Sequence, residues 1–245
     1  MRCAVLATCP NQLTLIFLPH FPKTELRPFG IIAAVSKNGV IGVKGDLPWN
    51  VPADRRAFED ITRHKTLIIG RQTLLEGATR NLNHVAHCRQ VVVVSRTLQE
   101  YELTDVIKSA ADTAKRTLPS FRLACSVKEA IQTAQRNQPE PLPREAEMET
   151  SSPWLGLDCW IGGGEAIYAD ALTLEQAQYL HLTILNTHVR LPSDAAVAHF
   201  PNEMEWKPHY RLVSQKEHPA KDPISFFTNV YERIQPHAGT RRGER

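Results

Sequence analysis

The sequence predicts a single α/β domain built around a mostly parallel sheet with an antiparallel edge. Short apolar runs typical of strands buried on both faces alternate with amphipathic segments typical of helices along most of the chain. Towards the end, two longer runs at 179–185 and 226–234 look like a strand pair that closes one edge of the sheet. A chain of 245 residues, 42% of them hydrophobic, is long enough for one sizeable core.

The predicted elements follow one another in a strand–helix rhythm. IIAAVS at 31–36 is the first strand, and the glycine- and proline-rich stretch 37–52 after it is predicted to be a lid or binding loop. ADRRAFEDITRH at 53–64 is predicted to be a helix, because its apolar residues recur at helical spacing. The later elements are strands at 66–70, 90–95 and 158–161, a helix from 71, a helix from a Ser126–Glu129 capping box to about Arg136, and a short helix after Gly164.

The domain is expected to occupy residues 29–235. Residues 1–28 are predicted to be an irregular N-terminal extension, and residues 236–245 a flexible tail. Two internal stretches do not fit the rhythm. Residues 99–122 show little periodicity, and residues 137–157 hold four prolines and a cluster of glutamates, so both are expected to be solvated insertions.

Charge and cysteine content limit the partners and the location. The 29 basic residues are nearly matched by 26 acidic ones and are spread along the chain, which argues against a dedicated nucleic-acid role. Five cysteines without a CxxC pair indicate reduced thiols of an intracellular protein, and no histidine has metal-ligand spacing. We therefore expect a cytoplasmic protein, with an organelle as the alternative that the extension leaves open, no metal, no membrane partner and a monomeric state.

Asp54 is the sharpest single signal in the sequence. It shares the apolar face of the predicted helix with Phe58 and Ile61, and an unpaired buried carboxylate costs several kcal/mol unless it is paired or neutralised. The structural alternative is equally open at this point, since an acid in the first turn of a helix is favoured by capping and by the helix dipole.

Two strand ends carry groups suited to phosphate. Gly70, Arg71 and Thr73 stand where a strand passes into a helix, so that free backbone N–H groups lie beside a guanidinium and a hydroxyl. Ser95 and Arg96 repeat this arrangement after the next strand, and parallel strands place such ends at one edge. An ordinary strand–helix turn with an exposed arginine remains the more common explanation.

Taken in order, the segments resemble dihydrofolate reductase. The resemblance runs from about residue 30 to 234 and rests on these segments: IIAAVSKNGVIGVKGDLPWNVPADRRAF, TLIIGRQT, RQVVVVSR, IGGGEAIY, YLHLT and VYER. It implies an eight-stranded sheet flanked by helices, with NADPH across the strand ends and a pterin in the cleft beside it. The implied activity is NADPH-dependent reduction of 7,8-dihydrofolate to 5,6,7,8-tetrahydrofolate, with hydride transfer to C6 and protonation at N5, for one-carbon metabolism and thymidylate supply.

The resemblance also assigns residues on the substrate side. Asp54 matches the carboxylate that hydrogen-bonds the pterin and assists protonation of N5; Thr183 completes its hydrogen-bond network, and Trp49 belongs to the closing loop. These three are the implied catalytic residues. The implied substrate and antifolate contacts are Ile32, Ala33, Asp54, Arg55, Phe58, Arg89 and Thr183, with Arg89 paired to the glutamate α-carboxylate of the substrate.

A second set is implied for the cofactor, NADPH. Two arginines near the adenosine end favour NADPH over NADH. Gly163 and Gly164 match the family's glycine pair with its cis peptide. The full implied set is Ala34, Ile41, Leu47, Gly70, Arg71, Gln72, Thr73, Ser95, Arg96, Gly163, Gly164, Glu165, Ala166, Ile167 and Tyr168.

Two positions depart from the family pattern. Gly162 stands where an Ile or Val usually contacts the pterin, which is expected to widen the pocket unless the register shifts by one. Arg55 replaces an apolar residue and is expected either to reach the glutamate tail or to weaken packing there. Two other functions stay open: a related reductase of flavin synthesis, against which LPWN followed by PAD argues, and a nucleotide- or RNA-binding protein of the same fold without turnover.

Overall fold

In a computed structural model of the chain, the structure describes residues 26–136, 152–191, 193, 196–218 and 224–235. Within these ranges the strands are β1 Phe29–Ser36, β2 Val40–Val43, β3 Thr66–Gly70, β4 Gln90–Val94, β5 Ser120–Ala124, β6 Cys159–Ile161, β7 Ala177–Leu185, β8 Val197–His199, β9 Tyr210–His218 and β10 Phe226–Arg233. The helices are α1 Pro52–Thr62, α2 Arg71–Ala78, α3 Glu100–Ala114, α4 Val127–Arg136, α5 Glu165–Leu172 and α6 Glu203–Trp206. Single 3₁₀ turns lie at Asn83–Val85, Pro153–Gly156 and Lys207–His209.

Eight strands form one sheet in the order β5-β4-β3-β6-β1-β7-β10-β9. The first six run parallel, and β10 is antiparallel to both of its neighbours, β7 and β9. The predicted fold class is therefore confirmed. A separate pair, β2 with β8, lies beside the sheet and carries the start of the predicted loop.

Helices cover both faces of the sheet, which explains why the central strands read as continuous apolar runs. On β3, Ile68 packs with α4 and α5 on one face, whereas Leu67 and Ile69 pack with α1, α2 and α3 on the other. All five residues of β3 are buried. This two-sided burial is the pattern expected of a parallel sheet.

The expectation that residues 99–122 form a solvated insertion was wrong. They contain α3 and most of β5, which pairs with β4 at one edge of the sheet. In α3 the buried residues are Leu103 and Ala110, so the apolar stripe is too thin to produce a strong periodic signal. The helix is instead fixed at its start by a capping box between Gln99 and Glu102.

The antiparallel edge also differs from the prediction. β7 and β10 do pair, but β7 lies inside the sheet against β1, and β9 forms the outer edge. Most of β9 is exposed, so it lacks an apolar run that the sequence could reveal. Of the other predicted segments, residues 1–25, 137–151 and 236–245 lie outside the described ranges.

Candidate active site

The site is built where the carboxyl ends of β1, β3 and β6 meet the start of α1. The backbone N–H of Gly162 donates to the Ile68 carbonyl at 2.8 Å, and that of Gly70 donates to the Gly163 carbonyl at 2.7 Å. These bonds extend the β3–β6 pairing past the end of β6 and hold the glycine triplet, residues Gly162 to Gly164, against the first turn of α2. In a sheet of this kind, ligands bind at the carboxyl edge.

Asp54 lies in the first turn of α1, half-buried, and its environment distinguishes the two interpretations left open by the sequence. The helix begins after Val51 without a side-chain cap, so Asp54 is not the N-cap residue. Burial raises the pKa of the Asp54 carboxyl, while a hydrogen bond with the Thr183 side chain and the charge of Arg55 oppose that rise. The carboxylate is therefore turned towards the sheet, where desolvation brings its pKa closer to working pH.

Thr183 and Tyr168 complete the polar surroundings of Asp54. Thr183 is buried on β7, opposite Ala34 of β1. The Tyr168 hydroxyl donates to the Ile32 carbonyl at 2.9 Å, and burial together with the nearby Asp54 charge raises the pKa of Tyr168. The structure thus brings together Ile32, Asp54, Tyr168 and Thr183, which the sequence had assigned separately to substrate and cofactor.

Trp49 provides an unsatisfied donor beside this group. Its ring is buried against Val51, Leu185 and Phe226, with Ala34 at the margin of the same cluster. The indole Nε1 is buried and has no hydrogen-bond partner among the residues that the structure describes. Such a group costs free energy unless water or a ligand completes it, so the Trp49 N–H fits a polar occupant in the adjacent cleft.

Two helix N-termini meet at the glycine triplet. α2 begins after Gly70 and α5 begins after Gly164, both without side-chain caps. The peptide between Gly163 and Gly164 is cis, at the position that the resemblance implied. A methyl group placed on Gly164 would lie 3.5 Å from the Thr73 hydroxyl, so the two helix starts are adjacent. Uncapped backbone N–H groups from two helices suit an anionic group such as a pyrophosphate.

The remaining residues assigned to the cofactor surround this point with different degrees of exposure. Ile167 and Tyr168 are buried, Ala34 and Ile41 are half-buried, and Ala166 is exposed. The Glu165 carboxylate accepts from the His199 N–H at 3.1 Å, and the Gln72 amide donates to Glu76 at 2.9 Å, so both are engaged within the protein.

Arg71 and Arg96 follow neighbouring strands and are both exposed. Ser95 is buried, and its hydroxyl accepts the N–H groups of Thr97 and Leu98, which shapes the turn that presents Arg96. Two exposed guanidinium groups at adjacent strand ends suit a second anionic group.

The loop that follows β2 is held by the end of α2. Leu47 is half exposed at 52%, and the preceding Asp46 forms an ion pair with Arg80. Gly45 packs on Glu76, since a methyl group there would lie 2.8 Å from its Oε1 atom. The loop therefore rests on α2 near the first expected cofactor contacts.

On the expected substrate side, Phe58 is half-buried among apolar residues of α1 and β3, and Ile32 and Ala33 are buried. The Arg55 guanidinium donates to Asn50 Oδ1 at 3.0 Å, so it contacts the loop rather than open space. The Arg89 guanidinium donates to Thr66 Oγ1 at 3.2 Å, at the opposite end of β3 from Gly70. Arg89 is thus well separated from the cofactor group.

The expectation that Gly162 widens the pocket is not met. A methyl group on Gly162 would lie 2.8 Å from Leu67 Cδ1. Leu67, which is 1% exposed, fills the space that a side chain at 162 would take. The sequence could not reveal that Leu67 fills this space, because residues 67 and 162 are far apart in the chain.

Within the described part of the chain, no group of three or more His, Cys, Asp or Glu side chains could hold a metal ion. Over the same residues, no helix has both the length and the apolar character needed to cross a membrane.

Comparison with known proteins defines the class. The family model for dihydrofolate reductase matches residues 28–131. The chain is similar to the dihydrofolate reductase of Enterococcus faecalis complexed with NADP(H) and RAB-propyl, with a TM-score of 0.57 and 18% identity, over 85% of this chain and 97% of that one. The protein therefore has the dihydrofolate reductase fold.

Sequence relatives support the same assignment. Dihydrofolate reductase type 9 of Escherichia coli is 36% identical over 77 residues, which are 31% of this chain and 41% of that protein. The dihydrofolate reductase of Haemophilus influenzae is 39% identical over 74 residues, or 30% and 43%. The chain is similar in sequence to these two dihydrofolate reductases, and the similarity spans less than half the length of each.

Proposed function

We propose that the chain is an NADPH-dependent dihydrofolate reductase that converts 7,8-dihydrofolate to 5,6,7,8-tetrahydrofolate and so serves one-carbon metabolism and thymidylate supply. The observation that carries this proposal is a half-buried Asp54 hydrogen-bonded to Thr183, beside a Trp49 N–H that has no partner within the described part of the chain. The matches to dihydrofolate reductases, including one complexed with NADP(H), support it.

Asp54 is the proposed proton-handling residue. Burial raises the pKa of its carboxyl, which makes it a better proton acceptor than an exposed aspartate, and a hydrogen bond from Thr183 orients it. A carboxylate in this position accepts two N–H groups of a pterin ring and favours a proton at N5. Trp49 supplies a further donor, directly or through water, and its loop excludes solvent from the reacting rings.

NADPH is the proposed cofactor and supplies the hydride when bound. The N-termini of α2 and α5, at Gly70 and Gly164, would hold its pyrophosphate, and Thr73 would add a hydroxyl. Arg71, Ser95 and Arg96 would bind the 2′-phosphate, which favours NADPH over NADH. Ala34, Ile41 and Leu47 would contact the nicotinamide, and Gln72 and Glu165 to Tyr168 would line the remaining surface.

On the substrate side, Ile32, Ala33 and Phe58 would line the pterin and benzoyl pocket, and Arg55 would border it from the loop. Arg89 would pair with the glutamate α-carboxylate. We also propose a cytoplasmic monomer. The balanced charge and the absence of a membrane-spanning helix among the described residues are consistent with this.

The test is the loss of NADPH absorbance on mixing the protein with dihydrofolate, with and without methotrexate, and with NADH in place of NADPH. Methotrexate-sensitive turnover that prefers NADPH is expected. A folded protein that binds NADPH but shows no turnover would refute the proposal and favour a binding protein of the same fold.

Asp54→Asn tests the assignment of the acid, with Asp60→Asn as the matched control on the exposed face of the same helix. Asp54→Asn should keep NADPH binding but lose most turnover at neutral pH. The loss should be smallest at low pH, where the substrate arrives already protonated. Asp60→Asn should behave like the unmodified protein. Near-normal turnover of Asp54→Asn at neutral pH would exclude Asp54 as the proton-handling residue.

A further inference from the structure

Phe58 is held in place by a histidine from a distant part of the chain. The rings of Phe58 and His87 meet edge to face, with centroids 5.8 Å apart and planes at 84°. His87 belongs to the connection between α2 and β4, and its ring reaches α1. The same histidine contacts α1 a second time, because its Nε2 lies 2.6 Å from the Thr62 hydroxyl.

The hydrogen bonds around Thr62 fix the direction of this second contact. Thr62 is buried, and its hydroxyl donates its single proton to the Phe58 carbonyl at 2.6 Å. The oxygen can therefore only accept from His87, so the proton of the neutral imidazole is on Nε2. Burial lowers the pKa of His87, which favours this neutral form. The His87 imidazole thus holds Phe58 in two ways. It is linked to the Phe58 carbonyl through the Thr62 hydroxyl, and it packs against the Phe58 ring.

The backbone around His87 is itself anchored. The His87 carbonyl accepts the His64 N–H at 3.0 Å, and the Arg89 N–H donates to the Lys65 carbonyl at 2.9 Å. The short segment 87–89 is therefore tied to the end of α1 and the start of β3. A ring on such a segment has little freedom, so it can fix the position of Phe58 rather than follow it.

We infer that His87 is a positioning residue that sets Phe58 against the aromatic tail of the substrate and so selects pterins that carry a p-aminobenzoyl group. This inference rests on the proposed function. Phe58 is expected to pack against the aromatic ring of the tail as well as the pterin, whereas Asp54, one helical turn earlier, serves the pterin alone. Loss of His87 therefore affects ligands with the aromatic tail more than ligands without it.

The experiment compares 7,8-dihydrofolate with 7,8-dihydrobiopterin, which lacks the aromatic tail. His87→Leu removes both contacts, and we expect the KM for dihydrofolate to rise about three- to tenfold, the effect of one or two lost contacts. The kcat for dihydrofolate and both constants for dihydrobiopterin should stay within about twofold. Thr62→Val removes the hydroxyl that links His87 to the Phe58 carbonyl but keeps the ring contact, so it should give a smaller rise. His87→Gln, which keeps an N–H donor, should recover part of the affinity.

His64→Asn is the matched control, because His64 is an exposed histidine at the same helix end and asparagine tolerates its positive φ of 59°. It should leave every constant unchanged. Equilibrium binding of methotrexate and of 2,4-diamino-6-methylpteridine repeats the comparison without turnover. Equal effects of His87→Leu on ligands with and without the tail, or no effect on either, would overturn the inference. Absence of dihydrofolate turnover in the unmodified protein, with methotrexate still bound, would instead refute the proposed function.

Discussion

Replacing Gly30 with alanine should destabilise the protein, although alanine is normally the better residue in a strand. Gly30 is buried in β1, next to β6, and the six-membered ring of Trp160 lies over its α-carbon. A methyl group there would be 2.5 Å from Cε3, 2.5 Å from Cζ3 and 2.8 Å from Cη2. Trp160 is fully buried and its indole N–H donates to the Leu157 carbonyl at 3.3 Å, so the ring is held.

The magnitude follows from how far that ring must move. Carbon atoms in ordinary contact are about 3.5 Å or more apart, so the indole would have to retreat by roughly 1 Å within a close-packed core. Overpacking of this kind costs about 1–3 kcal/mol. Removing the flexibility of glycine returns about 0.5–1 kcal/mol. We expect a net loss of up to about 2.5 kcal/mol in the free energy of unfolding.

The control is Gly30→Ala made in a Trp160→Phe background. Phenylalanine at position 160 lacks the indole atoms that the added methyl group would meet. Urea unfolding at pH 7, followed by circular dichroism, gives the four free energies of a double-mutant cycle. Trp160→Phe should be destabilising by itself. In that background, however, Gly30→Ala should stabilise by about 0.5–1 kcal/mol. An alanine that destabilises equally in both backgrounds, or stabilises in both, would refute the packing argument.

Three further predictions concern substrate binding, acid stability and α2. Arg89→Leu should raise the KM for dihydrofolate about tenfold or more and leave that for NADPH unchanged, since a charge-assisted pair is worth roughly 1.5–3 kcal/mol; an unchanged KM for dihydrofolate would exclude the glutamate contact. Burial lowers the pKa of His84 and of His181 to about 4. Above about pH 6.5 both histidines are neutral in the folded and the unfolded chain, so the free energy of unfolding does not depend on them. As the pH falls from 6.5 towards 4, each histidine lowers that free energy by up to about 3 kcal/mol, because the unfolded chain binds the proton first. Urea unfolding at pH 7 and pH 4.5 should show the decline, and His84→Gln should reduce it; an identical decline would contradict the role of His84. Gly77→Ala should destabilise the protein, because the His84 ring occupies the place that a side chain at position 77 would take. In a His84→Ala background the same change should be harmless, and the midpoints of thermal unfolding of the four proteins would decide between these outcomes.

The sequence predicted those parts of the fold in which the buried residues form a pattern over a short stretch of chain. β3 and β4 are continuous apolar runs, and α1 has an amphipathic repeat, so each could be located from its own residues. α3 and β9 could not, because one has a thin apolar stripe and the other lies at an exposed edge. Their positions depend on neighbours distant in the chain.

The residues of the candidate site also differ in whether local sequence pattern could reveal them. Asp54 drew attention through local pattern alone, whereas the assignment of Thr183 came only from the resemblance. The contact of His87 with Phe58 joins residues 29 positions apart through tertiary packing, and Leu67 fills the space beside Gly162 across two strands. No periodicity or spacing encodes such pairs.

The packing of Leu67 on Gly162 also restricts the routes by which this protein can change. A family-like valine or isoleucine at position 162 would collide with Leu67, so that substitution alone would be selected against. A smaller residue at 67 must come first, and by itself it leaves a cavity in the core. A larger side chain at position 162 is therefore reached only through a destabilised intermediate. Variants selected for stability should keep glycine at position 162 wherever Leu67 is retained.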